Sequence, residues 1–189
     1  MAYNRAKNRN SIVTPFDERV ILSLCDYSGV WSRPYQDAGY KVAQVDIKLG
    51  QDLRLLRHPG RVWGILAAPP CTVFSLAGNR TKRTDQEWLE ALSVVDACLR
   101  LVWVASPRWW VLENPRGKLV HYLGSPRFEF EPFLYGDPWT KRTCLWGNFV
   151  IPEFKPVEPE FSLHQSVRDP QLRAQTPSGF ATAFFKANP

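Results

Sequence analysis

Two short stretches carry side chains able to do covalent chemistry. The first is Ala68-Pro69-Pro70-Cys71-Thr72-Val73-Phe74-Ser75, where two prolines stiffen the backbone just ahead of a thiol. The apolar run Gly64 to Ala67 before it reads as a buried strand broken at once by the prolines, which places Cys71 at a strand mouth. The second is Glu113-Asn114-Pro115, a carboxylate closing the apolar run Trp109 to Glu113, a strand expected to stop before Pro115. A thiol serves as nucleophile once deprotonated, and a carboxyl can give or take a proton. At the ends of consecutive parallel strands, the two can reach one bound base.

The other cysteines, Cys25, Cys98 and Cys144, lack such a setting and read as small buried hydrophobes. Their wide spacing, with no C-x-x-C pair and no nearby histidines, argues against a metal site and against a disulfide scaffold. His58, His121 and His164 show no ligand spacing and read as ordinary surface or core residues.

The elements that must position these groups follow from hydrophobic patterning. Val20 to Cys25 reads as a buried strand running into the Asp26-Tyr27-Ser28-Gly29 loop, and Trp31 to Gly39 as a short helix. Lys41 to Ile47 is a second strand with Asp46 near its end. From Asp85 to Ser106 apolar residues recur with helical period (Trp88, Leu92, Val95, Leu99, Val102), with Asp85 as N-cap and Pro107 just beyond. Strand-like pieces fall in 126–150, including Thr143 to Trp146; 152–177 is proline-rich without periodicity; Ser178 to Ala187 forms a last helix. Of the two neighbouring tryptophans Trp109 and Trp110, at least one belongs in the core. Strands alternating with helices predict a mostly parallel α/β sheet flanked by helices, which binds ligands at the carboxyl ends of its strands. The Ser28-Gly29 turn, Asp46, Cys71 and Glu113 all fall at such ends.

In these motifs the chain resembles the cytosine-C5 DNA methyltransferases, whose catalytic loop reads P-C-x-x-(F/S)-S and whose partner motif reads E-N-V; Pro115 stands here where valine is usual. Leu24 to Gly29 occupies the place of the family's glycine-rich cofactor loop, followed by Ala38-Gly39-Tyr40 and by acids at Asp46 and Asp52. Tyr135-Gly136-Asp137-Pro138, with Lys141-Arg142 after it, resembles the Y-G-x-P segment and its basic residues. The resemblance spans residues 20–147, with an echo of the final motif in 176–187. It implies a Rossmann-like class I methyltransferase fold with S-adenosylmethionine as cofactor. Cys71 would add to C6 of the cytosine and Glu113 would serve N3, with Arg142 as the assisting cation. Cofactor contacts would come from Asp26, Ser28, Gly29, Trp31, Asp46 (ribose), Ile47, Asp52 (adenine) and Pro69. Double-stranded DNA with a flipped cytosine would be the substrate, contacted by Ser75, Arg80, Lys82, Arg83 and Lys141. Short members of this kind are encoded by phages, which implies a phage origin.

The chain departs from the family in having one glycine in the cofactor loop instead of three. It also has only residues 148–175 where the family carries a whole target-recognition domain. That absence keeps open RNA or a free pyrimidine nucleotide as substrate, and a DNA-binding relative without turnover. It also points to a second subunit or partner as a source of target recognition.

Bulk properties agree with this. A chain of 189 residues fits a basic arm (1–18) and a single catalytic domain (19–189). The formal net charge of +6 suits a polyanionic partner. No apolar run spans a bilayer and the basic, polar N-terminus is no secretory signal, so a cytoplasmic protein with no membrane partner is expected.

Overall fold

A computed structural model describes residues 19–75 and 82–189, so the basic arm and Arg80 lie outside the described residues. Strand β1 (Val20–Leu24) is followed by α1 (Arg33–Asp37), β2 (Lys41–Val45), β3 (Gly64–Ala67), the long α2 (Asp85–Ala105) and β4 (Trp109–Pro115). Then come α3 (Val120–Leu123), β5 (Phe128–Phe130), β6 (Trp139–Thr140), β7 (Thr143–Asn148), β8 (Phe161–Ser162), α4 (Leu163–Ser166), α5 (Pro170–Ala174) and α6 (Ser178–Ala187).

Six strands form one sheet in the order β2-β1-β3-β4-β7-β5. The first four are parallel, whereas β7 runs antiparallel to both β4 and β5. The expected mostly parallel sheet is therefore present, with one reversed strand inserted near an edge.

Both faces are buried, and the period-2 alternation of the strands decides which side chain goes where. Leu22, Leu24, Ile65, Ala67, Leu112 and Trp146 pack with Val95, Cys98 and Leu101 of α2 on one face. Ile21, Leu66, Trp109, Val111 and Leu145 pack on the other with Trp31, Tyr35 of α1, and Phe180 and Phe184 of α6. Gly64 is required where β3 meets β4, because a Cβ there would lie 2.1 Å from the Trp109 ring.

Helix α2 is capped one residue earlier than expected. Thr84, not Asp85, is the N-cap; its side chain accepts from the Glu87 amide while Glu87 accepts from the Thr84 amide. This reciprocal box contributes on the order of 1 kcal/mol. The helix expected over Trp31 to Gly39 shrinks to Arg33–Asp37, with Pro34 setting its first turn. β4 continues through Pro115, since an extended residue before proline suits the strand pairing that β7 provides. The proline-rich stretch is not featureless: β8, α4 and α5 form within it, with Phe161 stacked on Trp139 at 5.9 Å.

Candidate active site

The ends of β1, β2, β3 and β4 open onto one cleft of about 780 Å³. Its lining includes Asp26, Ser28, Asp46, Ile47, Pro69, Cys71, Ser75, Arg83, Glu113 and Lys141 from the sequence-derived set.

Cys71 follows β3 in a tight turn. Its carbonyl accepts from the amides of Phe74 (3.0 Å) and Ser75 (2.8 Å), and Asn114 Nδ2 donates to the Pro69 carbonyl at 2.9 Å. Phe74 is buried against Trp88, and its carbonyl accepts from the Lys118 amide at 2.7 Å. Ser75, expected to touch nucleic acid, forms a bridge with Gly117 and also lines the cleft. The thiol thus rides on backbone held from two sides. Burial pushes its pKa above the ordinary value, Glu113 pushes it further, and Lys141 and Arg173 pull it back.

Glu113, two residues before the end of β4, is almost wholly buried. Burial raises its pKa, and the neighbouring Lys141 opposes that rise. The ammonium of Lys141 is 3.9 Å from Oε1, with side-chain exposures of 2% and 5%. That separation is within ion-pair range but beyond a hydrogen bond, and among the described residues Oε1 has no hydrogen-bond partner. Lys141 Nζ donates instead to the Gln175 carbonyl at 3.3 Å, and the Lys141 amide donates to Glu131 at 2.7 Å. A cation expected on a phosphate is therefore buried beside the carboxylate. Arg142, expected to assist the thiol, does not line the cleft; it is exposed and pairs with Glu129 at 2.8 Å. Lys141 and Arg142 form the connection between β6 and β7, where one side chain is buried and the next exposed, so only one of the two consecutive cations enters.

At the other end of the cleft, Asp26 organises the loop after β1. Its carboxylate accepts from the hydroxyls of Ser23, Ser28 and Ser32 and from the Ser32 amide. Gly29 turns the loop at φ +68°, with Gln44 donating to the Asp26 carbonyl beside it. Gly29 itself does not line the cleft, but Ser28 and Val30 on either side do. Cys25 enters the loop at φ 59°, strained for a residue with a Cβ, and lines the cleft, unlike the fully buried Cys98 and Cys144.

Asp46 is buried with one oxygen accepting from the Lys48 amide at 2.8 Å and the other without a hydrogen bond among the described residues. Ile47 next to it is 68% exposed. A free carboxylate oxygen beside an exposed apolar side chain fits a nucleoside, whose diol donates hydrogen bonds and whose base stacks on apolar surface. Besides Gly29, two more expected cofactor contacts lie off the cleft. Trp31 is fully buried against Phe180 and Phe184, drawn into the aromatic core beneath the loop. Asp52 is bound to Arg54 at 2.6 Å and does not line the cleft.

Among the basic residues after the catalytic loop, Arg83 lines the cleft but is paired with Glu87 at 3.0 Å and reaches the Thr72 carbonyl. Lys82 is exposed and does not line it. Gln171 and Arg173, candidates for reading DNA from the sequence, line the cleft, but sequence reasoning missed the rest of the wall that α4, α5 and the residues after α5 add: His164, Gln175 and Thr176. His164 carries no ligand spacing, yet it faces the cleft, with burial and the charges of Arg173 and Lys141 lowering its pKa.

No family model and no curated protein matches the chain. A search of solved structures finds an E. coli prophage protein described as a candidate DNA modification methyltransferase. It is 16% identical with a TM-score of 0.51, and the match covers 76% of this chain and 53% of that one. This chain therefore spans about half the length of that protein. The likeness is one of fold: a mostly parallel six-stranded α/β sheet flanked by helices.

Proposed function

We propose that the protein transfers a methyl group from S-adenosylmethionine to C5 of cytosine in DNA. The observation that carries this reading is that Cys71, Glu113 and Lys141 line the same cleft as Asp46. A thiol and a carboxyl at adjacent strand ends, with a nucleoside-fitting carboxylate two strands away, match the needs of a two-substrate reaction on a pyrimidine. The fold, the catalytic-loop resemblance and the net charge of +6 support DNA as substrate.

C5 of cytosine is a weak nucleophile. Addition of the Cys71 thiolate to C6 makes C5 electron-rich, and a proton or hydrogen bond delivered to N3 by Glu113 stabilises that adduct. Burial keeps the Glu113 carboxyl inclined to hold a proton, which is the form able to donate to N3. The two groups help each other: once Glu113 is neutral, its opposition to a Cys71 thiolate is gone, while Lys141 and Arg173 still favour that charge. When bound, S-adenosylmethionine supplies the electrophilic methyl group. Asp46 would hold its ribose and Ile47 its adenine. After methylation a base takes the C5 proton and the C6–S bond breaks, returning Cys71 as thiolate.

The test is incubation of the protein with methyl-labelled S-adenosylmethionine and, separately, DNA, RNA and dCMP, followed by identification of the labelled base. We expect 5-methylcytosine from DNA. Label on an exocyclic amine, or only in RNA or dCMP, would overturn the reading.

A further inference from the structure

Among the described residues four permanent cations line the cleft, and three of them are already engaged. Lys48 stands over the Tyr27 ring at 5.0 Å, Arg83 pairs with Glu87 and Lys141 with Glu113. Arg173 is different: among the described residues no carboxylate pairs with it. It is half-buried and lines the same cleft as Cys71 and His164; the carbonyl of Gln175, two residues on, takes the Lys141 ammonium that lies beside Glu113, which places this stretch at the thiol end of the cleft. Its backbone is fixed, because the Arg173 amide donates to the Asp169 carbonyl at 3.1 Å and Asp169 Oδ1 caps the same short helix through Gln171.

A guanidinium presents several N–H donors in a rigid fork that matches two oxygens of one phosphate. Left without an acid in a half-dry cleft, it is poised for an anion brought by the substrate. The acids nearby do not fill that role: Asp26 is taken up by serines, and the Glu113 carboxylate faces Lys141.

We infer that Arg173 binds the phosphate of the nucleotide whose base reaches Cys71, so that the site selects a phosphate-bearing nucleotide unit over a free base or nucleoside. This rests on the reading of the cleft as a cytosine site. Residues 161–176 thereby supply a phosphate anchor, with Arg173 on α5 as the gripping group and His164 beside it.

The experiment measures binding of a fluorescein-labelled DNA duplex by anisotropy over a range of salt. Each phosphate contact contributes about 0.9 to the slope of log affinity against log salt. Arg173→Ala should flatten that slope by about 0.9, and Arg173→Lys should restore most of it. S-adenosylhomocysteine affinity, measured by calorimetry, should change less than about twofold, an energy below 0.5 kcal/mol by the tenfold-per-1.4 kcal/mol rule. A second arm leaves the protein intact: neutral methylphosphonates placed 5′ to each cytosine should weaken binding by the wild type and have little further effect on Arg173→Ala. An unchanged slope, or no binding of the duplex by the wild type, overturns the proposal. So does a parallel loss of S-adenosylhomocysteine affinity, which would give Arg173 to the cofactor's carboxylate. If the slope falls as expected while no methyl is transferred, the anchor stands and the reaction assigned above is wrong; methyl transfer with an unchanged slope gives the reverse.

Discussion

The Lys141 ammonium lies 3.9 Å from Glu113 Oε1 with both side chains buried, near enough for charge to act and too far for a hydrogen bond. The gap leaves Oε1 with an unused lone pair inside the cleft, while Lys141 limits how far burial raises the carboxyl's pKa. Removing one member of a buried pair strands the other.

Lys141→Met should therefore lower methyl transfer by about 10²–10³-fold, the usual loss for one preorganised electrostatic group. Arg142→Ala should leave the rate within a few-fold and cost at most about 1 kcal/mol, because its ion pair with Glu129 is exposed. Steady-state rates with labelled cofactor check both. Equal losses in the two variants would contradict the placement of Lys141.

The pH dependence of Cys71 alkylation by iodoacetamide, followed by mass spectrometry, reports the thiolate. A negative Glu113 disfavours a second negative charge nearby, so it raises the Cys71 pKa. Glu113→Gln should shift the alkylation curve to lower pH. The shift should vanish at pH values where the wild-type Glu113 is itself protonated. Lys141→Met removes a charge that favours the thiolate, so its curve should move to higher pH.

At the cofactor end, Asp46→Ala should weaken S-adenosylhomocysteine binding by about 1.5–3 kcal/mol, the loss of a charge-assisted hydrogen bond. Asp52→Ala should bind like the wild type, since its carboxylate is occupied by Arg54 outside the cleft. Trp31→Ala should reduce stability by about 3–5 kcal/mol through the cavity left in the aromatic core. Calorimetry and thermal melts separate these outcomes.

A duplex containing 5-fluorocytosine blocks removal of the C5 proton, so with cofactor present it should trap a covalent adduct on Cys71. Cys71→Ser should give none. Peptide mapping decides, and an adduct on Cys25, which also lines the cleft, would move the nucleophile.

The first four strands, α2, and the Cys71 and Glu113 positions were legible because long apolar runs and paired prolines leave few alternatives. The choice of Lys141 over Arg142 was not, since it turns on which of two adjacent side chains faces the cleft, and that is set by how the connection from β6 to β7 meets the end of β4, where the Arg116 amide donates to the Arg142 carbonyl. Trp31 looked like a pocket residue by its place after the loop, yet Phe180 and Phe184, distant in sequence, claim it for the core. The wall at 161–176 was hidden because strands and helices of two to five residues are too short to show a period. Tertiary contacts, such as Phe161 on Trp139, hold it in place.

With DNA in the cleft as proposed, that wall would also set how much sequence is read. Of the residues it brings to the cleft, Gln171 and Gln175 have side-chain amides able to address a base edge, and Arg173 is committed to phosphate by the inference above. Each good bidentate base contact gives roughly 1–3 kcal/mol of discrimination, so two glutamines distinguish one or two positions and no more. Affinity must then come mainly from lysine and arginine on phosphates, and binding should weaken steeply with salt. Bisulfite sequencing of DNA methylated by the purified protein should show modified cytosines constrained by at most a flanking base or two. In a Gln171→Ala, Gln175→Ala double variant that residual preference should flatten while total methylation persists. Methylation confined to one site of four or more base pairs would require a reading surface beyond this wall, supplied by a second subunit or a partner.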